Sequence, residues 1–212
     1  MLLVFDWDGT LLDSTGKIIR SMQLAISELG LPPRHDEQVR EIIGLGLMEA
    51  LKTMYHEFDY GIEVLEPLRT TYAKHYVELD AVPCGFYPGA RETLDALRQR
   101  GHHLAIATGK SRKGLDRVLI NLGMQDYFDA TRCADETRSK PHPQMLHELL
   151  DELRYVPQQA RMIGDTEFDL LMAKNAGISA VAVTHGAHDL PRLQACNPQA
   201  VIHTIPELLD LV

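Results

Sequence analysis

Residues 2–15 read LLVFDWDGTLLDST, and the fold turns on how that stretch is read. Leu2, Leu3, Val4 and Phe5 form a short unbroken apolar run, which suits a strand buried on both faces of a parallel sheet. Two carboxylates, Asp6 and Asp8, follow at its carboxyl end, the edge where open α/β sheets bind ligands. Side chains two apart on an extended chain point the same way, so Asp6 and Asp8 are expected to face one pocket while Trp7 turns elsewhere. Gly9 then lets the chain turn sharply. By itself an Asp-x-Asp-Gly run also suits an ordinary turn. A calcium loop is disfavoured, because residues 10–17 (TLLDSTGK) supply neither a third oxygen ligand nor a closing Glu in the required pattern.

Outward from this stretch the chain divides into two regimes. Asp13 or Ser14 is placed to cap a helix over 15–29, where Ile18, Ile19, Met22, Ala25, Ile26 and Leu29 recur at helical spacing. Gly30 and Pro32-Pro33 stop it. Helical patterns continue over about 36–43, 46–58 and 62–79, with Pro67 expected in the first turn of the last helix or as a kink. Between Ser14 and Asp80 no strand signal occurs. The sequence therefore predicts a helical subdomain, 14–83, inserted into a core built from 1–13 and 84–212, with hinges near 13–15 and 80–84. From Tyr87 onward, helices (89–100, 112–122, 142–153, 166–176) alternate with strands (102–108, 130–133, 160–165, 179–183 and a weaker one near 200–203). Such alternation predicts the α/β class, a doubly wound parallel sheet with right-handed crossovers.

At 212 residues the chain can bury a substantial core. A formal net charge of −9 argues against a general nucleic-acid binder or a polybasic membrane anchor, both of which need clustered Lys and Arg. Cys84, Cys133 and Cys196 are widely spaced and contain no CxxC pair, so neither a disulfide framework nor a zinc site is indicated. No basic leader precedes Asp6, and no apolar run approaches the roughly 18 residues of a membrane span. The expectation is a soluble, cytoplasmic protein.

Three later motifs converge on the edge that carries Asp6. Thr108 ends a strand, where its hydroxyl and the next amides suit either a phosphoryl oxygen or a helix cap. In Ser139-Lys140-Pro141 the proline favours an extended Lys140 and is expected to open the next helix, presenting a cation beside an N-terminus that attracts anions. The plainer reading of Lys140 is a solvated surface side chain. In MIGDTEFDLLMAKNAG (162–177), Asp165 stands at a strand end and Asp169 four residues later. Asp165 suits a helix cap, or with Asp169 a magnesium site and its supporting partner.

Taken together and in order, DWDGT, the Thr108 strand, Lys140 and GDTEFD resemble the four motifs of the haloacid dehalogenase-like (HAD) hydrolase superfamily. The likeness covers nearly the whole chain, and the helical insertion resembles the family's first type of cap over a Rossmann-like core. The resemblance implies that Asp6 is a nucleophile forming an aspartyl-phosphate and Asp8 the general acid and base. It implies that Thr108, Gly109 and Lys140 hold the phosphoryl group. Mg2+ would be bound by the Asp6 and Asp165 carboxylates and the Asp8 carbonyl, with Asp169 in support. Four carboxylates against one lysine independently call for a divalent metal. Gly44-Leu45-Gly46-Leu47, GFYPGA (85–90), ATGKS and SKPHP resemble the phosphoglycolate phosphatase-like branch, which also includes pyrophosphatases and nucleotidases. A small phosphorylated metabolite is the expected partner, with phosphoglycolate foremost. The insertion carries 7 Lys or Arg against 11 Asp or Glu, so it is no evident dock for a polyanion. Arg20, Arg40 or Lys52 is a candidate for the substrate carboxylate, although each suits a solvated helix surface better. A β-phosphoglucomutase-like enzyme stays open, and a receiver-like phospho-switch is disfavoured because a lid gives a switch no obvious advantage. Dehalogenases resembling this chain lack the second Asp, so Asp8 disfavours carbon–halogen chemistry.

Overall fold

The computed structural model describes residues 1–81 and 84–212. Among these residues six parallel strands form one sheet: β1 (Leu2–Phe5), β2 (His103–Thr108), β3 (Ala130–Cys133), β4 (Ala160–Gly164), β5 (Ser179–Val183) and β6 (Ala200–Ile202). They lie side by side as β3-β2-β1-β4-β5-β6. Alternation along β1 explains why all four of its residues are buried. Leu3 and Phe5 join Leu94, Leu97 and Leu115 on one face, while Leu2 and Val4 join Met145, Leu149 and Met162 on the other. Each such aliphatic side chain contributes roughly 1.5–3 kcal/mol on burial.

Between β1 and β2 come α1 (Thr15–Glu28), α2 (Asp36–Arg40), α3 (Leu47–Met54) and α4 (Ile62–Glu78). Ile19, Met22, Leu51, Leu65 and Leu68 give these helices an apolar core of their own. The crossover helices α5 (Ala90–Gln99) and α6 (Arg112–Asn121) cover one face of the sheet. On the other face lie α7 (Gln144–Leu153), α8 (Glu167–Asn175) and α9 (Leu190–Ala195).

Several boundaries depart from the sequence reading. α2 stops at Arg40 and residues 41–44 turn instead, because Gly44 takes φ +101° to swing the chain toward the sheet edge. α3 ends at Met54, since Tyr55 leaves the helix to donate its hydroxyl to Pro32 O at 2.8 Å and to pack near Phe58 and Tyr60. Pro67 stands at the sixth position of α4, beyond its first turn, and the helix runs through it. The proline and Glu63, whose carbonyl loses a partner, are both exposed, so solvent can satisfy that group. Pro141 does not open α7, which begins at Gln144. The short α9 was not expected. Its signals are Asp189, which accepts from Arg192 N–H at 3.0 Å, and Pro191 in the first turn. Of the expected hinge at 80–84, Val82 and Pro83 lie outside the described residues.

The strand order reverses between β1 and β4, so the crevice at their carboxyl ends is the sheet's switch point. Asp6 N–H donates to Ile163 O at 2.9 Å and fixes the first carboxylate level with the end of β4. The helical layer closes over this crevice. Gly46 N–H donates to Ser139 Oγ at 2.7 Å, His188 Nε2 lies 3.3 Å from Glu41 O, and Asp80 pairs with Lys17 of α1 and, at 3.2 Å, with Arg117 of α6. Among the described residues no helix is long and apolar enough to cross a membrane.

Gly109 is the tightest point of this seam: a Cβ there would meet the backbone of Gly44 and Leu45, with Gly44 O at 2.7 Å. Overpacking of this kind costs about 1–3 kcal/mol. Gly109→Ala should therefore lower the thermal midpoint by roughly 2–10 °C, as read by calorimetry. An unchanged midpoint would show that the helical layer does not press on Gly109.

Candidate active site

Two clusters of charge meet at the switch point. In the first, Lys140 is buried with its ammonium 2.7 Å from Asp6 Oδ1 and 2.7 Å from Asp169 Oδ1. Asp169 spends its other oxygen on α8, accepting from Thr166 N–H at 3.1 Å and Thr166 Oγ at 2.7 Å. Thr166, not Asp165, is therefore the helix cap, and Asp165 is left free for the site. Its carboxylate accepts from Thr10 Oγ at 2.6 Å and from Ala187 N–H at 2.7 Å. Space around it is reserved by glycine: a Cβ at Gly9 (φ +85°) or at Gly186 would run into this carboxylate.

Asp6, Asp165 and Asp169 gather their carboxylate oxygens within 4.8 Å of one another. Burial raises the Asp6 pKa well above its ordinary value; Lys140 opposes this, and the Asp169 and Asp165 charges add to it. Burial and the Asp169 charge push Asp165 up to about 6 against the pull of its hydrogen bonds and of Lys140. Asp6 Oδ2 is buried with no hydrogen-bond partner among the described residues. Three buried carboxylates share one ammonium, and one oxygen is left orphaned. This all-oxygen donor set fits a hard divalent cation, which would supply the missing positive charge.

In the second cluster Asp8 turns its carboxylate away from that group. Oδ1 accepts from Ser14 Oγ at 2.5 Å, and Oδ2 lies 2.9 Å from Lys110 Nζ. Ser14 begins α1 but makes no capping bond with its side chain, because its hydroxyl is engaged with Asp8. Lys110 also donates to Tyr76 Oη of α4 at 3.1 Å. Burial weighs against the Lys110 charge, yet Asp8, Tyr76 and Tyr72 more than restore it, and its pKa ends above the ordinary value.

A cavity of about 670 Å³ opens over both clusters. Asp6, Asp8, Thr108 and Gly109 line its floor, while Ile18, Met22, Tyr72 and Tyr76 line its roof. Thr108 does not cap α6, a role taken by Ser111, which accepts from Gly114 N–H at 3.2 Å. Its buried Oγ accepts from Lys110 N–H at 3.2 Å, and the residue lines the cavity. Nor is Lys140 a solvated lysine. Arg20, Arg40 and Lys52 are exposed and do not line the cavity; the cations that do include Arg69, Lys110 and Arg117. The sequence reading passed over Thr10, Ser14, Lys110 and Tyr76. Lys110, next to Thr108-Gly109, was the one with a local signal.

A family model described as haloacid dehalogenase-like hydrolase matches residues 3–183. A Dickeya dadantii (strain 3937) protein named "Probable phosphatase IndB" is 33% identical, the alignment covering 98% of this chain and 91% of that one. A protein of Vibrio parahaemolyticus named phosphoglycolate phosphatase is 31% identical over 100% of this chain and 95% of its own length. The solved structure of a haloacid dehalogenase-like family hydrolase from Streptococcus pneumoniae superposes with a TM-score of 0.84 at 26% identity, covering 99% of this chain and 97% of that one.

In chelator, the raised pKa of Asp165 adds stability that is greatest below the ordinary 3.8 and is lost as pH rises through about 6. Asp165→Asn should flatten that slope in thermal midpoints measured from pH 4 to 7. A divalent cation should raise the wild-type midpoint at pH 7, and the same substitution should cancel the rise. A wild-type midpoint indifferent to the cation would contradict the fit.

Proposed function

The chain belongs to the haloacid dehalogenase-like hydrolase family, and on that premise we propose that it is a Mg2+-dependent phosphatase. Its substrate is a small phosphomonoester, with 2-phosphoglycolate foremost. The observation that carries this reading is the orphaned Oδ2 of Asp6, a buried carboxylate oxygen on a residue that lines the cavity and whose other oxygen, Oδ1, lies 2.7 Å from Lys140. The names of relatives at 31–33% identity support the phosphatase class and, for the Vibrio protein, the substrate.

Asp6 attacks phosphorus, forming an aspartyl-phosphate as the bond to the leaving oxygen breaks. Asp8 gives that oxygen its proton, then takes one from the water that hydrolyses the acyl phosphate. Lys140, the Thr108 hydroxyl and the amides that follow it stabilise the equatorial oxygens. Asp6, Asp165 and the Asp8 carbonyl, with Asp169 in support, would hold Mg2+, which would supply charge neutralisation. Residues 14–83 act as a cap that excludes water once substrate is bound, and the protein works in the cytoplasm on small metabolites, consistent with three free cysteines. The cavity exceeds what a two-carbon ester fills, which keeps larger esters in contention.

Phosphate release across phosphoglycolate, sugar phosphates, nucleoside monophosphates and pyrophosphate should show Mg2+-dependent turnover with phosphoglycolate preferred. Asp6→Asn should abolish it, and Asp8→Asn should slow it at least about a hundredfold. Release unaffected by Asp6→Asn would remove the nucleophile, and preference for another member would replace the substrate.

A further inference from the structure

We propose that Lys110 is the residue that selects the substrate, by binding an anionic group on its leaving side. The inference deepens the phosphatase reading and rests on it. An ammonium has three donors. At Lys110 the structure accounts for two, directed to Asp8 Oδ2 at 2.9 Å and Tyr76 Oη at 3.1 Å, and the side chain, 11% exposed, lines the cavity. Lys140, the other lysine at the catalytic floor, likewise has two partners, Asp6 and Asp169, and its remaining donor is the one that the proposed function gives to the phosphoryl group; unlike Lys110 it does not line that cavity. Lys110 thus presents a buried cation with an unused donor beside the seat of the phosphate.

Position decides which part of the substrate it meets. Thr108 and Gly109, immediately before it, line the cavity with Asp6, where the proposed function seats the phosphate. The Lys110 ammonium instead sits against Asp8, the group that serves the leaving oxygen. An anion one or two carbons beyond that oxygen comes within reach of Lys110 and not of Lys140. The chemical class is a phosphomonoester of a short hydroxy acid, and a carboxylate on the carbon next to the ester oxygen fits best. Because Tyr76 belongs to α4, the same ammonium ties the bound anion to the helical layer. Nζ also lies 4.5 Å from the Tyr76 ring centroid, at the hydroxyl edge of the ring, so that one aromatic side chain fixes where the charge stands.

The test compares 2-phosphoglycolate with 2-hydroxyethyl phosphate, which is near-isosteric but lacks the carboxylate. It uses wild type, Lys110→Met, Lys110→Arg and Tyr76→Phe. A hydrogen bond to a charged group is worth on the order of tenfold to a hundredfold in binding. Wild-type kcat/KM should favour 2-phosphoglycolate by at least about tenfold, chiefly through KM. Lys110→Met should erase the preference, Lys110→Arg should keep most of it, and Tyr76→Phe should weaken it. Wild type that hydrolyses both esters with less than about threefold preference would overturn the proposal and leave the phosphatase reading standing. So would Lys110→Met slowing both equally. Wild type that hydrolyses neither, nor any other phosphomonoester, removes the phosphatase reading and this inference with it.

Discussion

A buried ammonium between two buried carboxylates holds this site together. Lys140 touches Asp6 at the end of β1 and Asp169 in the first turn of α8, so one side chain sets the distance between the central strand and the helix that follows β4. Burial alone would disfavour the charge, but the two carboxylates offset this, and the Lys140 pKa lies above its ordinary value. Removing the lysine would leave two buried carboxylates uncompensated, a loss of about 3–5 kcal/mol by analogy with broken buried pairs. The Thr166–Asp169 capping bonds, the Thr10 and Ala187 contacts to Asp165, and the glycines that clear space for that carboxylate all maintain this geometry.

The second organising constraint is the seam with the helical layer. Gly109 lets backbone approach backbone, Gly44 and Gly46 leave room for the Thr166 and Ser139 side chains, and the Lys110–Tyr76 hydrogen bond and the Asp80–Arg117 ion pair tie the two sides. Asp8 sits where these constraints meet. It is held by Ser14 at the start of α1 and by Lys110 at the end of the Thr108 strand, apart from the Asp6, Asp165 and Asp169 oxygens. That separation gives two aspartates only two residues apart different surroundings, as the proposed nucleophile and proton carrier require.

Much of this was legible in the sequence because it depends on local rules. Unbroken apolar runs marked the strands, and strand-end carboxylates marked the switch point. What escaped depended on long-range packing. Lys140 looks like a surface lysine until α8 places Asp169 against it, and Pro141 looks like a helix start although α7 begins three residues later. Lys110 adjoins Thr108, yet its partners come from 102 residues upstream in the case of Asp8 and from α4 in the case of Tyr76. The cavity cations were sought on exposed helix positions such as Arg20 and Arg40, because charge spacing cannot tell which helix face meets the sheet.

In the proposed mechanism Asp6 carries the phosphoryl group between the two steps, and that assignment decides the rest. It is tested most directly by rapid acid quench of Asp8→Asn, whose second step is expected to be slow under the proposed mechanism, mixed with substrate and Mg2+, followed by peptide mass analysis. One phosphoryl group is expected, on the peptide containing Asp6 and on no other. A label on a different residue, or phosphate release with no protein-bound phosphoryl at any quench time, would contradict it.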